Sequence, residues 1–179
     1  MMATREKIGL AESRYRDPVT GNLLRLRSMR IADLDQVYAL EAMIFKSPWS
    51  RQSFEHEVSH NSCSLPWVVA DRDRIVAYSI VWLIADEMHI GNLAVDPAYQ
   101  KRGIASWLLQ NIINKAGKAK VRQITLEVRR SNSAAISFYK KFAFKIVGVR
   151  KNYYEAEHED ALLMSRESSR LTANLDLEL

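Results

Sequence analysis

The chain has one cysteine, Cys63, among 179 residues. That excludes an internal disulfide framework and fits a reducing compartment, so the expected location is cytoplasmic. No apolar run is long enough to span a bilayer. The first residues, MMATREKIGLAESRYR, lack the continuous apolar core of a secretory signal. The glycine spacing fits neither GxGxxG nor GxxxxGK[ST], which disfavours dinucleotide-binding and P-loop classes. There is no arginine–aromatic repeat, no nucleic-acid module signature, no internal repeat and no low-complexity tract. Direct nucleic-acid binding and membrane association are therefore not expected.

Hydrophobic residues make up 47% and charged residues 26%, which suits one globular domain with a sizeable core. The net charge of +5 is spread along the chain. Nucleic acid, a membrane surface or an anionic cofactor could each answer such a balance, and a cofactor is sufficient. Residues 1–22 are polar and end in the turn-rich DPVTGN; they read as an N-terminal extension, expected to be partly disordered. The domain is expected over 23–166. Residues 167–179 form a C-terminal tail, acidic and dotted with leucine, which reads as a frayed helix.

Leu24, Leu26 and Ser28 alternate with Arg25 and Arg27, predicting a first strand. Leu34, Val37, Leu40 and Ile44 predict a first helix, which Pro48 breaks. Ser50 caps a short second helix carrying Phe54 and Val58. Strands follow at Trp67–Ala70, Ile75–Ile84 and Met88–Val95, with Gly91 marking a bulge or a close backbone approach. Ile104, Trp107, Leu108 and Ile112 predict a central helix. A strand over Gln123–Val128 puts Ile124, Leu126 and Val128 on one face and Thr125 and Glu127 on the other. Asn132 caps a helix with Ala135, Ile136, Tyr139 and Phe142. Phe144–Val149 and Ala161–Met164 are the last strands, joined by KNYYEAEHED. This alternation predicts a mixed α/β layer with helices on both faces.

The chain is organised around NLAVDPAYQKRGIASWLLQNIINKAG, Asn92 to Gly117. A strand that turns into a helix through Gly103 and Ala105 leaves backbone N–H groups at a helix N-terminus. With the helix dipole, these donors make an anion site. Small residues let a phosphate reach the backbone, and Lys101 and Arg102 add charge. Read alone, Gly103 could equally be a turn glycine beside a solvated basic pair.

LAVDPAYQKRGIASWLL resembles the Q/R-x-x-G-x-G/A motif of the GCN5-related N-acetyltransferases (GNAT), which binds the pyrophosphate of acetyl-CoA. TLEVRRSNSAAISFYKKFAF and RKNYYEAEHEDALLM resemble its branch that acts on protein N-terminal amines, and within it the ribosomal-protein-alanine group. The likeness covers about Leu23 to Ser165. It implies the GNAT acyl-CoA N-acyltransferase fold, a mixed sheet of about seven strands splayed at the centre, with the acetyl-CoA arm in the cleft. It further implies that acetyl-CoA is the cosubstrate, with no metal. Leu93, Ala94 and Val95 would supply backbone groups to the acetyl and pantetheine end. Lys101, Arg102, Gly103, Ile104, Ala105 and Ser106 would hold the phosphates, and Asn132 the pantetheine arm. One departure is Ala143, where the family usually has glycine before the phenylalanine.

Acetyl transfer needs a neutral amine, a polarised carbonyl, a protonated leaving thiolate and alignment, the last contributing on the order of 7–11 kcal/mol. An α-amine titrates near ~8 and a lysine near ~10.4, so an N-terminus is the easier acceptor. By resemblance Glu127 is the proton acceptor, directly or through water, and Tyr139 the acid that protonates the thiolate. From spacing alone, Glu127 reads as a surface glutamate and Tyr139 as a core aromatic. Trp49, in FKSPWS, and Tyr153 and Tyr154, in NYY, are candidates to grip the acceptor peptide, or they pack under loops. The expected substrate is the N-terminal alanine of a small-subunit ribosomal protein. A lysine or small-amine acceptor, or a non-catalytic acyl-CoA-binding module, remain the alternatives. The chain is expected to act as a monomer.

His56-Glu57-Val58-Ser59-His60 matches the HExxH zinc-protease pattern. The helix is short and no spacing singles out His89 or His158 as a third ligand, so the two histidines read as solvated. Cys63, in a polar loop without a paired base, reads as incidental rather than as an acyl-enzyme nucleophile.

Overall fold

In the computed structural model, the structure describes residues 13–168. The expectations for residues 1–12 and for the tail beyond residue 168 lie outside the described residues. Eight strands and four α-helices follow in order: β1 Ser13–Arg16, β2 Leu23–Ser28, α1 Leu34–Ile44, α2 Arg51–Ser59, β3 Ser64–Asp71, β4 Arg74–Ile84, β5 Glu87–Val95, α3 Ile104–Lys118, β6 Gln123–Arg129, α4 Ser133–Lys141, β7 Lys145–Tyr154 and β8 Glu159–Glu167. The strand beyond the seven expected is β1. Its Ser-Arg-Tyr-Arg sequence carries no apolar alternation, yet it pairs antiparallel with β2, Tyr15 opposite Leu24.

The described residues form two compact units. The first comprises 13–83 and 90–111. Its strands neighbour one another in the order β1-β2-β3-β4-β5, and β2–β3 and β3–β4 pair antiparallel. The apolar face of α1 (Leu34, Val37, Leu40) packs with Phe54 of α2 and with Val68, Ile75, Tyr78 and Ile80 of the sheet. Ser50 caps α2 by accepting from Ser53 N at 3.0 Å, as the sequence predicts. Gly91 is a close backbone approach: a Cβ there would come within 2.7 Å of the Trp82 ring.

The second unit comprises 84–89 and 112–168. Its strands run β6-β8-β7, all antiparallel. β6 alternates as expected, with Ile124, Leu126 and Val128 buried. Asn132 caps α4, its Oδ1 accepting from Ala135 N at 3.0 Å. The end of α4 closes with Phe144 N donating to Tyr139 O (3.2 Å) and Ala143 N to Lys140 O (3.0 Å), the Schellman pattern. Its left-handed residue is Ala143, at φ +62°.

Candidate active site

Glu127 sits on β6, on the face opposite the buried Ile124, Leu126 and Val128. It is not a surface glutamate, since its side chain is only 7% exposed. Oε2 lies 2.8 Å from His89 Nε2 and Oε1 lies 3.2 Å from an Arg150 Nη. The other nitrogen of His89 is 2.9 Å from Thr125 Oγ1, two residues before Glu127 on the same strand face. Burial pushes the Glu127 carboxyl up, but the hydrogen bond and charge of His89 and the charge of Arg150 outweigh it and hold it below the usual carboxylate range. Sequence reasoning missed His89 and Arg150 as partners of Glu127, because both come from other strands and no local spacing links them.

Tyr139 of α4 is buried, its ring against Phe138 and Phe144. Burial, and then the nearby Tyr154, push its hydroxyl well above the ordinary tyrosine range, so it stays protonated. Tyr154 ends β7, with the Arg129 guanidinium 3.8 Å from its ring centroid. Arg129 is in turn held by Glu157 (3.3 Å) and Glu159 (3.2 Å). Burial raises the Tyr154 hydroxyl, and the charge of Glu127 adds to it, so Tyr154 lies within electrostatic reach of both Glu127 and Tyr139. The NYY segment is thus the end of a strand rather than a free loop. Of its two tyrosines Tyr153 is the exposed one, 47%, and its ring packs edge-on against Tyr154 at 5.2 Å.

In the first unit, Leu93, Ala94 and Val95 end β5, and a turn capped by Asp96 leads to Lys101–Gly103 and the start of α3 at Ile104. Lys101 has φ +60° and Gly103 φ +84°. The first N–H groups of α3 have no carbonyl one turn earlier to receive them. Lys101, Gly103 and Ser106 are exposed. This bare, turned backbone fits the pyrophosphate of acetyl-CoA. The Arg102 side chain is committed elsewhere: it donates to Asp17 Oδ2 (2.8 Å) and Ala98 O (2.5 Å) and lies 4.6 Å from the Tyr99 ring centroid. Asn132 is exposed, and the structure shows its cap bond.

Trp49 stacks on Trp82 with centroids 6.1 Å apart and tilts on Phe54 at 5.6 Å. Its backbone N donates to Glu41 Oε1 at 2.9 Å. Glu41, 1% exposed, also receives Tyr78 Oη and Asn92 Nδ2. The sequence carried a signal here: Glu41 lies four residues after Val37, on the apolar stripe of α1. A depression of about 480 Å³ lined by Trp49, Ser50, Gln52, Ser53, His56 and Glu57 adjoins this loop.

The HExxH motif dissolves in three dimensions. His56 and His60 are exposed and stacked at 5.7 Å, while Glu57 is buried, accepting from Trp82 Nε1 (2.7 Å) and Asn61 (3.0 Å). Among the described residues, no three His, Cys, Asp or Glu side chains form a group that could hold a metal ion. Cys63 is exposed, and among the described residues no helix is long and apolar enough to cross a membrane.

Residues 34–144 match the acetyltransferase (GNAT) family. The ribosomal protein bS18-alanine N-acetyltransferase of Salmonella typhimurium is 36% identical over 135 residues, 74% of this chain and 90% of its own length. The crystal structure of the ribosomal-protein-S18-alanine N-acetyltransferase of Escherichia coli superposes with a TM-score of 0.76 at 31% identity, covering 87% of this chain and 99% of that one. An N-acetyltransferase from Thermoplasma acidophilum in complex with coenzyme A shares the fold, with a TM-score of 0.67 at 19% identity over 80% of this chain and 98% of its own. The chain belongs to the GNAT family and is an acetyl-CoA-dependent N-acetyltransferase.

Proposed function

We propose that this enzyme acetylates the N-terminal α-amine of a protein in the cytoplasm, its acceptor the N-terminal alanine of a small-subunit ribosomal protein. The observation that carries the reading is the Glu127–His89 pair, a buried carboxylate with a partly exposed imidazole at 2.8 Å. The acceptor class is supported by the names of the relatives. It is also supported by the low basicity of an α-amine (pKa near ~8), whose proton a carboxylate can collect near neutral pH, directly or through water.

When bound, acetyl-CoA supplies an acetyl group on a thioester, and transfer forms the C–N bond as the C–S bond breaks. Backbone groups of Leu93–Val95 align the acetyl end, and the backbone of Lys101–Ser106 holds the phosphates. Glu127 collects the amine proton, directly or through one water. Held below the usual carboxylate range, Glu127 is ionised and can accept the proton, and His89 Nε2 at 2.8 Å keeps that carboxylate in place. Arg150 keeps the carboxylate oriented. Tyr139, protonated through burial, gives its proton to the departing thiolate. Trp49 in the first unit and Tyr153 and Tyr154 in the second are the aromatic residues assigned to gripping the acceptor, and Asn132 both caps α4 and supports the pantetheine arm.

The test is mass spectrometry on acetyl-CoA reactions with two peptides. One has a free N-terminal alanine and no lysine; the other has a blocked N-terminus and an internal lysine. Acetylation of the first alone is expected. Acetylation of the second alone would transfer the assignment to lysine, and of neither, to a small-amine acceptor or a binding module.

A further inference from the structure

The residues flanking Gly103 are held by a part of the chain that the catalytic reading does not use. Tyr15, on β1, donates from its hydroxyl to Arg102 O at 2.7 Å. Its ring stacks on Trp107 of α3, centroids 5.2 Å apart and planes 26° from parallel. Asp17, fully buried, accepts from the Arg102 guanidinium at 2.8 Å. Thr20 Oγ1 (2.6 Å) and Val19 N (3.0 Å) also donate to Asp17 and fix it in the turn after β1. That turn is tied onward, since Asn22 Nδ2 and Tyr99 Oη both donate to Asp71.

The peptide between Arg102 and Gly103 is planar and trans, so its C=O and N–H point in opposite directions. Drawing the Arg102 carbonyl onto Tyr15 therefore aims the Gly103 N–H away from Tyr15. A Cβ at Gly103 would lie 2.4 Å from Tyr15 Oη, so the same hydroxyl that orients the peptide fills the space on that side. Asp17 meanwhile anchors the Arg102 side chain and so fixes the residue whose carbonyl Tyr15 holds.

We propose that β1 and its turn, through Tyr15 and Asp17, are positioning residues for acetyl-CoA: they set the orientation of the backbone donors that take the pyrophosphate. This rests on the reading of Lys101–Ser106 as the phosphate-binding loop. A hydrogen bond of this kind contributes about 0.5–1.5 kcal/mol, so Tyr15→Phe weakens CoA binding by about two- to twelve-fold.

The experiment is calorimetric titration of the full-length protein with CoA and with pantetheine, which lacks the pyrophosphate. Wild type, Tyr15→Phe and Asp17→Asn are compared, with thermal midpoints recorded for each. In the wild type, CoA must bind more tightly than pantetheine; equal affinities would remove the phosphate-loop reading itself. With that difference present, the expected result is weaker CoA binding in both variants and unchanged pantetheine binding. In turnover, the KM for acetyl-CoA rises while the KM for the acceptor peptide stays put. Wild-type CoA affinity in Tyr15→Phe, whether or not its thermal midpoint falls, would overturn the proposal, since β1 would then be structural support only. Asp17→Asn supplies the independent arm: equal losses for CoA and pantetheine there would also count against it.

Discussion

At the scale of single residues, two positions make opposite points. The face that Glu127 takes was legible in the sequence because β6 alternates cleanly, while the role proposed for it came from the family resemblance, since spacing alone reads it as a surface glutamate. Its partners were not legible: His89 and Arg150 reach it from β5 and β7, and strand pairing between distant segments leaves no local pattern. Glu127→Gln is expected to lower kcat by about 10²- to 10⁴-fold and leave the Kd for CoA unchanged; calorimetry beside steady-state kinetics checks both halves. Ala143 is the second position. It occupies the left-handed site of the Schellman motif, where a Cβ costs about 1–2 kcal/mol. This explains why the family favours glycine there. Ala143 is exposed, and Ala143→Gly loses nothing by packing. Part of the gain is offset by the extra freedom glycine has when unfolded. A net stabilisation near 1 kcal/mol, seen as a rise of about 2–4 °C in Tm, is expected with turnover unchanged.

At the scale of elements, the helices and the apolar strands could be read from periodicity, and the capping residues Ser50 and Asn132 from their chemistry. β1 could not. It is an edge strand whose residues alternate between half-buried and exposed, so no hydrophobic pattern marks it. β7 outran its expected end because residues Arg150–Tyr154 are held by cation–π contacts and ion pairs rather than by apolar burial. The segment joining α1 to α2 depends on Glu41, which clamps Trp49 N while taking bonds from Tyr78 and Asn92. Burial raises the Glu41 carboxyl, against the pull of those three donors. A carboxyl raised on folding binds more protons in the native state than in the unfolded one. Its contribution to stability is therefore full below the ordinary glutamate pKa and declines as pH rises through the folded value. Glu41→Gln is expected to flatten that decline. Urea midpoints followed by tryptophan fluorescence from pH 4 upward will show it as a midpoint that changes less with pH than in the wild type.

At the scale of the molecule, several carboxylates shift the other way. Burial pushes Asp33 up, but the bidentate bond from Arg27 (2.6 and 2.8 Å) and the Arg30 N–H prevail and lower it. Glu127 is lowered as well. A carboxylate depressed on folding stabilises above its unfolded pKa and loses that contribution as pH falls through the folded value. Asp33 lies in the first unit and Glu127 in the second, so acid weakens both. Thermal midpoints are expected to fall as pH drops below about 4, the ordinary carboxylate value. Asp33→Asn is expected to lower the midpoint at pH 7 and to make its fall in acid shallower; a slope equal to wild type would assign the acid sensitivity to other groups. The fold was legible at this scale because most of its elements carry their own pattern. The site was legible only in outline, since its charge balance arises from pairings that the folded chain alone creates.

The contact from Tyr15 to Arg102 also bears on inheritance. Gly103 tolerates no Cβ because of where the Tyr15 hydroxyl sits, so drift at one position is constrained by the other. A lineage that shed its first strand would free position 103 from the steric half of its restriction, while the left-handed backbone would still favour glycine. In descendants that keep the strand, a side chain at position 103 should appear only where the tyrosine has been replaced, although the family match begins only at residue 34.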